Sequence, residues 1–244
     1  MGIFSQYKTD GLEQSQDRLG GFTPLESNIY IATISAVYAQ PAKSGAMGVT
    51  LEAKLDNGRD YSETFYVSDK EGKNYFLNKQ DSSKKVPLPG FTTVNDICLI
   101  ASETPLCDQE TEEKVIKVYD AEAKKELPKS VPMIIGLIGK KVALAIANEL
   151  HNKSVRKDDG SYADTAETRN VNAVVKVFHP EYKLTVYEAT EGKEATFWDK
   201  WLERYKGQVI DRRKIKEGEG TEGRPPKAAP QANKTPRASL FGKR

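Results

Sequence analysis

The segment from 47 to 76, MGVTLEAKLDNGRDYSETFYVSDKEGKNYF, constrains the fold of this chain more than any other. Val49, Leu51, Ala53 and Leu55 alternate with polar residues, Asp56-Asn57-Gly58 breaks the run, and alternation resumes through Tyr61, Phe65 and Val67. This is the pattern of a β-hairpin. A two-residue Asn57-Gly58 turn would put Leu51 and Leu55 on the opposite face from Tyr61 and Phe65. A three-residue loop with Gly58 at positive φ sets Lys54 opposite Asp60 and Thr50 opposite Thr64, gathering Val49, Ala53, Tyr61 and Phe65 on one buried face. The other face keeps Tyr66 among Thr, Ser and Lys. With the loop that follows, rich in lysine and carrying Tyr75 and Phe76, it has the chemistry of a surface that stacks bases and holds phosphates. An ordinary half-exposed hairpin has the same pattern.

The chain has 244 residues, 30% of them charged, and no apolar run long enough for a membrane helix. Its N-terminus, MGIFSQYKTD, has no signal-peptide pattern, which predicts a cytoplasmic protein. Cys98 and Cys107, the two cysteines, read as reduced and structural. Residues 211 to 244 hold ten Lys or Arg against four Asp or Glu, a net +6 that leaves −4 for the body of a chain of total charge +2. An acidic body holds phosphates only through a local patch or groove.

Along the chain, 1–24 reads as an irregular arm. Asn28–Gln40 reads as a strand with Tyr30 and Tyr38 on one core face, and 91–102 as a helix capped by Thr92 or Thr93. The charge-dense, net acidic 104–129 region reads as a short helix or loop and then a strand through Val115–Tyr119, turning back over 120–124 to a partner strand near 127–131, and 140–151 reads as a strand by period, although its composition permits a helix. Asn152–Thr168 reads as a polar loop, 169–179 and 182–188 as strands, and 196–206 as a closing aromatic helix. From 211 Gly, Pro, Lys and Ala dominate, predicting a disordered basic tail tipped by Leu240-Phe241. Such a tail contacts phosphates, or docks Leu240 and Phe241 in a partner's pocket with Lys243 and Arg244 on an acidic rim.

Catalytic patterns are not found. Gly136-Leu137-Ile138-Gly139-Lys140-Lys141 has the wrong spacing for a phosphate-binding loop, and the two histidines, His151 and His179, have no paired metal-ligand spacing. The reading is a non-enzyme with no cofactor and no metal.

Long strings of the chain carry a family resemblance: TDGLE at 9–13, GAMGV at 45–49, YVSDKEGKNYF at 66–76, LPGFTTVNDICLI at 88–100, ETRNVNAVVKVFH and WDKWLERYKG. In these the chain resembles the single-stranded DNA-binding proteins of lytic tailed phages of the podovirus type. The resemblance implies an OB-like β-barrel that coats single strands during phage replication and recombination in the host cell cytoplasm. Single-stranded DNA-binding proteins commonly end in an acidic tail, whereas this one ends in the basic SLFGKR.

The expected architecture is mainly β (α+β): an OB-like barrel over 25–210 with one or two packing helices, an arm over 1–24 and the tail over 211–244. Single-stranded DNA is expected to lie on Lys54, Arg59, Lys70, Lys73, Lys79, Lys84 and Lys85, with bases stacked on Tyr66, Tyr75 and Phe76. Leu240, Phe241, Lys243 and Arg244 would recruit replication, recombination or RNA polymerase proteins. The rival reading is an adaptor whose tail is the functional part; a weaker one is a strand-annealing protein.

Overall fold

A computed structural model describes residues 23–120, 124–158 and 160–215. The protein is mainly β, built on an eight-stranded sheet. β1 (Asn28–Pro41) is central: its later residues pair antiparallel with β2 (Met47–Leu55), and its first residues pair on the other edge with β8 (Lys141–Arg156). β2 continues into β3 (Asp60–Tyr66), and β8 turns back into β9 (Tyr162–Phe178). A short pair, β4 (Tyr75–Leu77) and β5 (Lys85–Pro87), leads into helix α1 (Pro89–Ser102). The hairpin of β6 (Thr111–Asp120) and β7 (Lys125–Ile134) joins the far end of β1 where Tyr38 meets Met133. Helices α2 (Val186–Thr190) and α3 (Phe197–Tyr205) precede β10 (Val209–Asp211), which runs parallel to β8.

The β2–β3 hairpin has the register expected from its turn. Thr50 faces Thr64, Lys54 faces Asp60, Leu55 N–H donates to the Arg59 carbonyl, and Gly58 has φ +81°. Odd residues of both strands share the inner face, so Val49, Leu51, Ala53, Leu55, Tyr61 and Phe65 are all buried, with the half-buried Glu63 on the same side. Inside the curved sheet they meet Ile34, Leu144 and Ile146, and α1 closes the core with Val94, Ile97 and Cys98. Each buried Val, Leu, Ile or Phe side chain contributes about 1.5–3 kcal/mol by leaving water.

The sheet is not closed. Its end strands, β3 and β9, share no backbone ladder among the described residues. They are bridged by one side chain, as Glu63 Oε2 accepts the Val174 N–H at 2.8 Å. Val174 adjoins a bulge, where the β9 register slips by one residue against β8.

Four local readings differ from the structure. Tyr30 and Tyr38 do not share a face: the register slips between Ile34 and Ala36, reversing parity, so Tyr30 enters the main core while Tyr38 joins Ala36, Val131 and Met133 outside. α1 begins at Pro89, whose missing N–H costs nothing in a first turn; the Thr92 and Thr93 hydroxyls bond backward to the Leu88 and Pro89 carbonyls. Residues 152–156 and 162–168 pair as the far half of the β8–β9 hairpin. Residues 182–188 form no strand: Thr185 and Glu188 make a reciprocal capping box that starts α2. The chain also stays ordered past the compositional boundary at 211, since Arg212 N–H donates to the Leu150 carbonyl and Asn152 bonds Lys214 and Ile215.

α3 covers the outer side of β1 and β8, burying Trp201 with Phe178, Ala143 and Ala145. Glu188 fixes its start: one carboxylate oxygen accepts the Phe197 and Thr196 N–H groups at 2.8 and 3.0 Å, the other that of Thr185 at 3.0 Å. No helix among the described residues is long and apolar enough to cross a membrane.

Candidate nucleic-acid interface

The outward face of β2 and β3 carries the even-numbered residues. Thr50 and Thr64 are hydrogen-bonded across the strands at 2.8 Å, and Glu52 accepts the Tyr38 hydroxyl at 3.0 Å. Burial, reinforced by that carboxylate, pushes the Tyr38 phenol up to about 12. At the Pro41–Met47 end of this face Tyr66 is 54% exposed, its ring lying over Gly48, where an added Cβ would come within 3.7 Å of the ring edge. The backbone of Tyr66 is pinned from the other side. A Cβ at Gly90 would collide with the Tyr66 carbonyl and come within 3.0 Å of its nitrogen, so the start of α1 rests directly on this residue.

The loop after Tyr66 is ordered by its own side chains. Asp69 Oδ1 accepts the N–H groups of Glu71 and Lys73 at 2.8 and 2.9 Å, Gly72 turns the chain at φ +80°, and the Lys70 backbone abuts Gly45 of the β1–β2 connection. β4 and β5 then display Tyr75, with Lys85 Nζ 4.5 Å from its ring centroid, and Phe76, 47% exposed. A second turn closes the pair: Asp81 accepts the Ser83 hydroxyl and amide, which with Lys84 hold its carboxyl below the usual range.

The expected cations therefore differ in availability. Lys73 is held by Glu71 at 2.6 Å and Lys84 by Asp81 at 3.3 Å. Lys70 and Lys79 are exposed without an ion-pair partner among the described residues, and Lys85 is exposed beside Tyr75. Thus Tyr66 ends the face, and the segment that follows it carries Lys70, Lys73, Tyr75, Phe76, Lys79, Lys84 and Lys85 on two ordered turns and a short strand pair.

Lys54 and Arg59 lie at the other end, roughly 23 Å away at 3.3 Å per residue along β3. Asp60 pairs with Lys54 at that tip, and Glu52 lies on the face between the two ends. Arg59 donates to the Thr23 carbonyl, two residues before Leu25, whose backbone N–H is held by Asn172 of β9. This tip therefore sits at the end from which the outer half of the β8–β9 hairpin extends.

That extension holds residues the sequence reading left out of the site. Arg156 and Lys157 are exposed beside Tyr162, 72% exposed, and Val155, 53% exposed. Gly160 makes the turn at φ +80°, with its N–H on the Lys157 carbonyl. Asp159-Gly160 is a hairpin signal that sequence alone offered. The extension is braced by Ser154 and Lys214, which bond the Asp164 carboxylate and hold it below the usual range.

Leu240, Phe241, Lys243 and Arg244 lie outside the described residues. Cys98 is buried, which raises its thiol to about 12, and Cys107 is exposed; neither is in a disulfide. No family model and no curated protein matches this chain.

Proposed function

We propose that this protein binds single-stranded DNA without reading its sequence, on the outward face of an open, OB-like barrel formed by β1, β2, β3, β8 and β9. The observation that carries the reading is the Tyr66–Lys85 end of that face. In the segment that runs from there, Tyr66 and Phe76 are exposed, Tyr75 lies half-exposed beside Lys85, and Lys70 and Lys79 are exposed near turns whose hydrogen bonds are already made. Rings presented this way stack on any base, and unpaired ammonium groups neutralise phosphates whatever the sequence. The carboxylates Glu52 and Asp60 repel phosphate, which favours this end over the tip with Lys54 and Arg59 as the primary contact. The strand order supports the barrel reading: β3 and β9 are the ends of one curved sheet and approach closely enough for a glutamate to span them. A role in phage replication and recombination in the host cytoplasm rests on the family resemblance.

Fluorescence anisotropy of full-length protein with labelled oligo-dT and a matched duplex, at two salt concentrations, tests this. Preference for the single strand with a log–log salt slope of about −0.7 per phosphate neutralised supports it. Equal or absent binding overturns it and leaves the adaptor reading, in which the basic tail is the functional part.

A further inference from the structure

Among the described residues the outer edge of the β6–β7 hairpin has no partner. Among the described residues β6 pairs only with β7, so one edge of a ten-residue strand presents its N–H and C=O groups to solvent. β7 is interrupted by Pro128 and Pro132, which lack the N–H a ladder needs, but β6 contains neither proline nor glycine. Even residues Ile116 and Val118 pack back on Ala36 and Tyr38, and odd residues face outward, where Val115 is 72% exposed between Glu113 and Lys117.

We propose that this edge is the interface with a second copy of the chain, two β6 strands pairing antiparallel with Val115 opposite its counterpart. Two arguments select this partner and register. A two-fold axis perpendicular to the sheet keeps each strand's outward face on the same side, so odd residues oppose odd residues and only even-summed registers are allowed. Among these, centring on Glu113, Lys114 or Lys117 sets like charges on the axis, and centring on Ile116 opposes Glu112 to Asp120. Centring on Val115 sets Glu113 opposite the Lys117 of the other copy, twice by symmetry, with Val115 against Val115 between them. The charges that would repel an arbitrary strand are thus complementary to this strand reversed.

Sedimentation equilibrium of the full-length protein and three variants tests this. The wild type is expected to dimerise reversibly. K117E, which opposes like charges twice, is expected to weaken the dimer by about tenfold or more. E113K should do the same, although it also removes the 2.6 Å bond from Ser130 to Glu113, so circular dichroism accompanies each variant. The exchange E113K/K117E is expected to restore the wild-type constant. A monomeric wild type overturns the proposal, as does K117E dimerising like wild type or failure of the double variant to recover.

Discussion

Glu63 of β3 and Val174 of β9 hold together the two ends of a sheet that has no backbone ladder between them. The carboxylate takes the Val174 N–H at 2.8 Å and the Tyr61 hydroxyl at 2.7 Å on the same oxygen. Burial raises its pKa above the ordinary value of 4.5, outweighing those two bonds, and the Glu149 charge adds to the rise. A carboxyl whose folded pKa is raised contributes stability that is fully present below its unfolded pKa and is lost as pH climbs through the folded one. Replacing Glu63 with Gln keeps an acceptor and removes the charge. E63Q is therefore expected to melt higher than wild type at about pH 8, by on the order of 1 kcal/mol or about 2–4 °C. The gap should narrow toward about pH 4.5. E63A leaves both donors unpaired and is expected to lose about 1–3 kcal/mol. Thermal melts across pH check both.

Glu188 behaves in the opposite sense. Burial opposes its ionised form, but the N–H groups of Thr185, Phe197 and Thr196 outweigh it and lower the pKa. Its contribution is present above the unfolded pKa and is lost as pH falls through the folded one. E188A removes acceptors at the starts of α2 and α3 and is expected to cost about 2–4 kcal/mol. Chemical denaturation at neutral pH measures this, and the penalty should shrink in acid.

Gly90 has no room for a side chain. G90A forces a methyl group into the Tyr66 carbonyl, and α1 must shift; the expected loss is about 1–3 kcal/mol, with weaker DNA binding because Tyr66 moves with it. G58A is a useful contrast: its Cβ meets nothing within 4 Å, so only the positive φ is strained, at roughly 1–2 kcal/mol, with DNA affinity unchanged. Denaturation midpoints and anisotropy separate the two effects.

Exposed aromatic residues contribute little to folding, so their removal isolates binding. Y66A and F76A are each expected to weaken oligo-dT binding by about 1–3 kcal/mol while stability stays within about 0.5 kcal/mol. K70A and K79A should each reduce the salt slope by about 0.7. Lys73 and Lys84 are already paired in their turns, so their alanine variants should change it less.

The β2–β3 register was legible because a short turn sets parity, and parity then fixes every pair from Lys54–Asp60 to Thr50–Thr64. The aromatic and basic residues of the 66–85 segment are legible as a group because they are contiguous in the chain. Lys54 and Arg59 are close to these residues in sequence, but a strand seven residues long separates them in space. Arg156, Lys157 and Tyr162 are not legible as part of a surface because Asn152, Ser154 and Asp164 give that hairpin the composition of a loop; those polar residues bond across its strands or to residues 214–215. The Thr185–Glu188 box was visible as a pattern, but the five-residue helix it starts is too short to show a period.

The slip in β1 carries a consequence of its own. Ser35 is solvent-exposed, so substitutions of its side chain should be nearly silent. Deleting it restores strict alternation, and each residue from Ala36 to Gln40 then exchanges sides: Val37 leaves the interior and Tyr38 is driven into it. The number of residues between Ile34 and Val37, rather than their identity, lets one strand serve two separate cores. A single-codon deletion there should abolish folding where most missense changes would pass unnoticed.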